Sequence, residues 1–232
     1  MKRLLLPISF LYSCVLFLRH KLYDWNILKS KSYDIPNICV GNLNLGGTGK
    51  TPHIEYLIRL LSNKYDIAVL SRGYGRKTKG FLLANESHTH NDIGDEPLQY
   101  FTKFDNIKIA VDENRCEGME RLLQDENPPQ IILLDDAYQH RKIKPGLNIL
   151  LTDYYYLYSD NHLVPAGNLR DIKKAAQRAE IIVITKSPNV ITPYYRKDVE
   201  NKLKPLPHQK IFYSYIEYLD FKPFSKLSHN TD

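Results

Sequence analysis

Residues 44–51 read Asn44-Leu45-Gly46-Gly47-Thr48-Gly49-Lys50-Thr51, and the reading of this stretch decides the fold. After Pro36, Asn37-Ile38-Cys39-Val40 predicts a short buried strand. From about Thr51, Ile54, Leu57, Ile58 and Leu61 recur at helical spacing, with Pro52 in the first turn, where its missing N–H costs nothing. A glycine-rich loop between a strand and a helix suits phosphate: backbone amides turn inward toward phosphate oxygens, Lys50 reaches the β- and γ-phosphates, and the Thr51 hydroxyl holds magnesium. Asn44, Leu45, Gly46, Gly47, Thr48, Gly49, Lys50 and Thr51 are thus the candidate nucleotide-binding residues. One departure is visible: Asn44 stands where the usual GxxxxGK(Ser/Thr) pattern has glycine.

Outward from the loop, apolar runs follow at 67–70, 107–111, 131–134, 147–151 and 181–184, several separated by helix-length polar stretches. Continuous apolar strands are buried on both faces. The expected fold is therefore α/β, a P-loop NTPase-like, doubly wound, mostly parallel sheet with ligands at the carboxyl ends of its strands. Beyond about residue 186 the text changes: Pro188, Pro193, Pro205, Pro207 and Pro223 interrupt it, and FYSYIEYLDF occupies 212–221. The expected division is a hydrophobic, basic segment over 1–31, a core over 32–186, and the start of a second, smaller lobe over 187–232. No internal repeat is visible.

With 232 residues, 43% of them apolar and 25% charged, the chain has ordinary globular composition and is not a disordered one. Three unclustered cysteines, Cys14, Cys39 and Cys116, exclude a disulfide scaffold and suit a reducing compartment. Five of the six net positive charges fall in residues 1–31, where Lys2, Arg3, Arg19, Lys21, Lys29 and Lys31 face Asp24 alone. This asymmetry argues against a nucleic-acid partner, which would need basic residues spread over a folded face, and for a local anionic membrane surface. Nothing in the sequence marks an obligate protein partner.

Residues 4–18, LLLPISFLYSCVLFL, carry no formal charge. As a helix they cover roughly 22 Å, against about 30 Å for a bilayer core. Leu11-Tyr12-Ser13-Cys14 resembles a lipoprotein cleavage site, yet the apolar run continues to Leu18, past the point of cleavage. The expectation is a retained helix lying in or dipping into the membrane interface, with Arg19, His20, Lys21, Tyr23 and Trp25 at its edge. The alternative is an apolar helix packed on the domain's own core, and one helix can do both.

The chemistry is carried by four further motifs. Ile131-Ile132-Leu133-Leu134-Asp135-Asp136 places two carboxylates at a strand end, where a P-loop enzyme needs a second magnesium group, and Gln139 and His140 follow at the same sheet edge. Gly94-Asp95-Glu96-Pro97 is a turn with paired carboxylates, suited to deprotonating an attacking hydroxyl and assisting a metal, though spacing does not place it near the loop. Arg72 and Tyr74 in SRGYGR (71–76), and Asn168 and Arg170 in AGNLRD (166–171), suit anionic substrate groups.

In this order, VGNLNLGGTGKTP (40–52), SRGYGR, GDEP, LLDDAYQH (133–140), PAGNLRD (165–171) and ITK (184–186) resemble the tetraacyldisaccharide 4'-kinase (lipid A 4'-kinase) family, from near residue 1 to about 186. The resemblance implies transfer of the γ-phosphate of ATP, with Mg²⁺, to the 4'-hydroxyl of a tetraacylated glucosamine disaccharide 1-phosphate at the cytoplasmic face of the bacterial inner membrane. It implies that Lys50 and Thr51 hold phosphates and Mg²⁺, that Asp95 is the base, and that Glu96 and Asp136 serve the metal. Tyr74, Gln139, His140, Asn168 and Arg170 would face the lipid disaccharide. Members of the family run longer, so 187–232 reads as an incomplete C-terminal lobe. A membrane-associated switch ATPase of the partitioning type shares the GGxGKT spacing, but that class has a Lys where this chain has Leu45 and does not account for GDEP or PAGNLRD.

Overall fold

The computed structural model describes residues 2–217. In chain order its strands are β1 (Asn37–Asn42), β2 (Ile67–Ser71), β3 (Leu82–Leu83), β4 (Ile107–Val111), β5 (Ile131–Asp135), β6 (Leu147–Asp153), β7 (Ile181–Thr185) and β8 (Lys210–Tyr213). Every apolar run singled out above is a strand. Two strands carry no such signal: β3 is only two residues long, and β8 alternates exposed and half-buried positions. The helices are α1 (Leu6–Asp24), α2 (Lys50–Leu61), α3 (His90–Ile93), α4 (Asp95–Lys103), α5 (Arg115–Leu123) and α6 (Pro193–Leu203).

All eight strands join one sheet in the order β3-β4-β2-β5-β1-β6-β7-β8, parallel except for β3 on β4. The winding direction reverses at β1, which bonds β5 on one side and β6 on the other. A crevice therefore opens at the carboxyl ends of β1 and β5. On one face Ile54 and Ile58 of α2 and Tyr100 of α4 pack on Val40, Val69 and Leu133; on the other, Met119 of α5 and Val199 of α6 belong to a cluster with Cys39, Leu134 and Leu150. Each such aliphatic side chain, once fully buried, contributes roughly 1.5–3 kcal/mol. The described part of the 187–232 stretch supplies α6, started by Pro193 after a Thr192 cap, and β8, which extends the same sheet beside β7. The rest of that stretch, 218–232, lies outside the described residues.

The N-terminal helix runs on past the apolar stretch to Asp24 and has two characters. Ser9, Leu16, His20 and Tyr23 form its buried stripe. Ser9 Oγ donates to Leu163 O (2.9 Å) and accepts from Ala166 N (3.0 Å), His20 Nε2 lies 2.6 Å from Asp171 Oδ1, and Arg141 donates to Asp24 Oδ1 at 2.9 Å. The opposite side is apolar and open, with Phe10 and Leu11 each 66% exposed and Val15 64%. The packing on the domain's own core is what the structure shows: the helix packs through a partly polar stripe, and its apolar face is left uncovered. Among the described residues no helix is long and apolar enough to cross a membrane.

Candidate active site

The phosphate loop leaves the end of β1 and enters α2 through Gly49, whose φ of +84° is the left-handed region open to glycine. Two elements clamp it. Asn42, the last residue of β1, donates from Nδ2 to Thr48 Oγ1 (2.7 Å) and to Gly46 O (3.3 Å). Lys186, just after β7, donates to Gly47 O at 2.7 Å while pairing with Asp153 at 2.9 Å. The buried Asn44 donates to Tyr156 O at 3.1 Å, which gives its side chain a tethering use that glycine would lack. Leu45 N donates to Asn168 O at 2.6 Å, so the exposed Asn168 meets the loop through its backbone.

Around this loop the structure gathers carboxylates and cations. Asp136, just beyond β5, has both oxygens engaged by the Arg170 guanidinium, at 2.9 Å for Oδ2, and lies 3.8 Å from Lys50 Nζ. Burial pushes its carboxyl up, yet the Arg170 hydrogen bonds and charge together with Lys50 hold it below the ordinary carboxylate range. Arg170 also donates to Asn42 Oδ1 at 2.5 Å. Asp135 sits on the buried side of the strand end. Tyr100 donates to its Oδ2 at 3.4 Å, its Oδ1 has no hydrogen-bond partner, and Arg115 caps its carbonyl at 3.3 Å. Burial above all, then the charges of Glu96 and Asp136, push the Asp135 carboxyl up to about 7.

The GDEP turn, unplaced by linear spacing, is brought in by a backbone contact. Gly94 has φ +90°, and a Cβ there would stand 2.8 Å from Tyr74 O, so this turn and the SRGYGR loop pack main chain to main chain. Asp95 and Glu96 then begin α4, and the Thr51 hydroxyl donates to Glu96 Oε1 at 3.4 Å. The resulting cleft encloses about 750 Å³. Lys50, Asp95, Glu96, Asp136, Gln139 and His140 line it, together with Arg72, Tyr74 and Arg170. Gln139 is fixed by donation to Asn42 O at 2.6 Å. Burial, reinforced by the charges of Arg115, Arg72 and Arg19, pushes His140 down to about 4, so the ring is neutral at physiological pH.

Sequence reasoning missed several members of this site. Tyr12, Leu16 and Arg19 of α1 form one wall of the cleft, and Arg19 donates to Gln139 O at 3.2 Å. Their spacing of four and three marks one helix face, but nothing in the sequence says what that face meets. Asn42 and Lys186 lay inside quoted motifs and were given no task.

A family model described as tetraacyldisaccharide-1-P 4'-kinase matches residues 1–217. The tetraacyldisaccharide 4'-kinase of Bacteroides thetaiotaomicron is 49% identical over 220 residues, 94% of this chain and 58% of that protein. That of Flavobacterium johnsoniae is 51% identical over 218 residues, 94% of this chain and 64% of that protein. The chain belongs to this 4'-kinase family. It spans about six-tenths of the length of these two relatives. Among solved structures, LpxK from Aquifex aeolicus in complex with ATP superposes with a TM-score of 0.74 at 30% identity, covering 96% of this chain and 85% of that one.

Within this 4'-kinase fold the residues present fit a magnesium ion. Thr51, Glu96, Asp135 and Asp136 offer only hard oxygen donors, Asp135 Oδ1 is buried without a partner, and the charges of Glu96 and Asp136 raise the proton affinity of Asp135, where a cation would relieve it. Among the described residues no group of three or more His, Cys, Asp and Glu side chains forms a ready-made metal cage. That suits an ion held jointly by one or two carboxylates and substrate phosphates.

The raised Asp135 carboxyl has a measurable consequence without any ligand. In the unfolded chain it loses its proton near the ordinary aspartate value of 3.8, whereas in the folded protein it keeps it up to about 7. Unfolding therefore releases a proton between these values, and this group subtracts stability as pH rises through that window. Asp135→Asn, which stays neutral, should stabilise the nucleotide-free protein by about 1–3 kcal/mol at pH 8 and by much less at pH 4. Thermal unfolding at the two pH values checks this; an equal change at both would contradict the assignment.

Proposed function

We propose that this 4'-kinase family chain transfers the γ-phosphate of ATP to the 4'-hydroxyl of a tetraacyldisaccharide 1-phosphate, working at the cytoplasmic face of the inner membrane. One observation carries the reading: a phosphate loop, a carboxylate turn and an arginine-locked aspartate share a cleft whose wall is an apolar, surface-exposed helix. That wall suits a sugar whose acyl chains remain in a leaflet. Residues 1–31 would be the membrane-associated segment, 32–186 the kinase core, and 187–232 the start of a second lobe attached through β8.

In the reaction a bond forms between the sugar O4' and the γ-phosphorus, and the bond from that phosphorus to the β–γ bridging oxygen breaks, leaving ADP. The loop amides and Lys50 bind the β- and γ-phosphates and take up charge as it develops on the leaving oxygen. Asp95, open to the cleft, accepts the hydroxyl proton on a carboxylate oxygen. Thr51, Glu96, Asp135 and Asp136 would hold Mg²⁺, which when bound neutralises phosphate charge. Arg170 keeps Asp136 ionised and oriented, while Arg72, Tyr74, Gln139, neutral His140 and Asn168 orient the disaccharide. Tyr12 and Leu16 exclude water from the side on which the acyl chains would lie.

The test separates a kinase from a switch ATPase. ADP release should require the lipid disaccharide; a lipid-independent ATPase of undiminished rate would favour the partitioning-type reading instead.

A further inference from the structure

The α1 helix separates two cavities. Tyr12, Leu16 and Arg19 face the active-site cleft, whereas Phe10, Phe17 and Lys21 line a groove on another side, against residues 161–178. The groove has two parts that share Ile172. One, of about 320 Å³, has Leu6, Phe10, Leu163 and Leu169 on its walls. The other, of about 130 Å³ near the end of α1, has Lys21, Arg141, Lys174 and Arg178 on its walls with the single carboxylate of Asp24.

The charges at the second part exceed what the protein itself neutralises. Arg141 is held by Asp24 at 2.9 Å, and Arg178 stands 3.5 Å from Asp171, a carboxylate that also takes His20. Lys21 and Lys174 have no carboxylate partner among the described residues; Lys21 rests 5.7 Å from the Phe17 ring centre. Two nitrogens of Arg178, Nε and one terminal amine, are buried without a hydrogen bond, as is Asp171 Oδ2. Two unpaired ammonium groups on the same wall as the Arg141 and Arg178 guanidiniums select a compact anion with several oxygens, and phosphate is that anion. A free phosphate has no use for the apolar groove that continues from the pocket. A phospholipid uses both parts.

We infer that the flank of α1 is a discrete site for one anionic membrane phospholipid, its phosphate seated among Lys21, Arg141, Lys174 and Arg178 and an acyl chain lying along Leu6 and Phe10. The inference rests on the membrane reading above and deepens it. A lipid held there fixes the roll of α1 about its own axis. Because Tyr12, Leu16 and Arg19 ride on the same helix, it also sets the angle at which the cleft meets the leaflet.

The experiment is co-sedimentation of the full chain with phosphatidylcholine vesicles, with and without phosphatidylglycerol, at fixed ionic strength. Lys21→Gln/Lys174→Gln is compared with Lys64→Gln/Lys197→Gln, an exposed pair that lines neither cavity and lowers the charge equally. The groove pair should lose the preference for phosphatidylglycerol by roughly 25-fold, about fivefold for each cation, and the control pair by under about threefold. Should the double variant fail to fold, Lys174→Gln alone, at an exposed position, should show the fivefold loss. Equal losses in the two pairs would mean diffuse attraction and overturn the site. Equal wild-type binding to both vesicles would overturn the site and leave the membrane reading standing, whereas binding to neither would overturn that reading itself. Inorganic phosphate, added at matched ionic strength, should not release the protein; release would assign the pocket to free phosphate and overturn the lipid assignment.

Discussion

Asp95→Asn is expected to lower kcat by about 10² to 10⁴, the usual contribution of a positioned general base, with little change in ATP affinity. Asparagine keeps the size and much of the hydrogen bonding but cannot accept the sugar hydroxyl's proton. The geometry makes the test specific. Asp95 opens α4 and lines the cleft but makes no hydrogen bond or ion pair with the phosphate loop among the described residues, whereas its neighbour Glu96 receives the Thr51 hydroxyl at 3.4 Å. Steady-state kinetics across a magnesium titration separates the two roles. Activity restored at saturating Mg·ATP would make Asp95 a metal group and require the base to be sought elsewhere.

Lys50→Ala should be the most damaging single change, lowering kcat/KM by roughly 10³ or more. Lys50 is largely buried in the cleft, 3.8 Å from Asp136 Oδ2. Removing it takes away a point charge aimed at the β- and γ-phosphates while the backbone cradle, clamped by Asn42 and Lys186, stays in place. Asp136 keeps its Arg170 partner, so the carboxylate is not left unpaired and the fold should survive. Near-normal turnover with an unchanged melting temperature would remove the loop from the mechanism.

Much of this architecture was legible because the chemistry restricts the residues. A strand, a GGTGKT loop and a helix follow one another in the chain, so local pattern and local geometry coincide, and the Asp pair closing an apolar run marks the neighbouring strand's end. The GDEP turn was legible as chemistry but not as place: it packs on the SRGYGR loop through Gly94 against Tyr74 and meets Thr51 through Glu96, contacts that no spacing along the chain encodes. Spacing alone did not distinguish the paired aspartates, yet one residue's difference in position puts Asp136 in the cleft and Asp135 in the buried layer with opposite shifts in proton affinity. Asn42 and Lys186 escaped notice because a side chain that clamps a backbone carbonyl needs no motif of its own. Strand β8 was not legible as a strand, since an edge strand with exposed alternate positions lacks the apolar run that betrayed the inner strands. The apolar stretch at the amino end did not show which of its sides packs: the same helix buries Ser9, Leu16, His20 and Tyr23 and exposes Phe10, Leu11 and Val15.

The most direct test of the account is the destination of the phosphoryl group. The full chain is incubated with Mg²⁺, ATP labelled at the γ-phosphate and a tetraacyldisaccharide 1-phosphate in mixed micelles, and the lipid is recovered and its labelled position mapped. The account predicts label on the 4'-oxygen of the disaccharide, in amounts equal to the ADP formed. Label appearing only as inorganic phosphate, or remaining on ATP while the lipid stays unmodified, would contradict it.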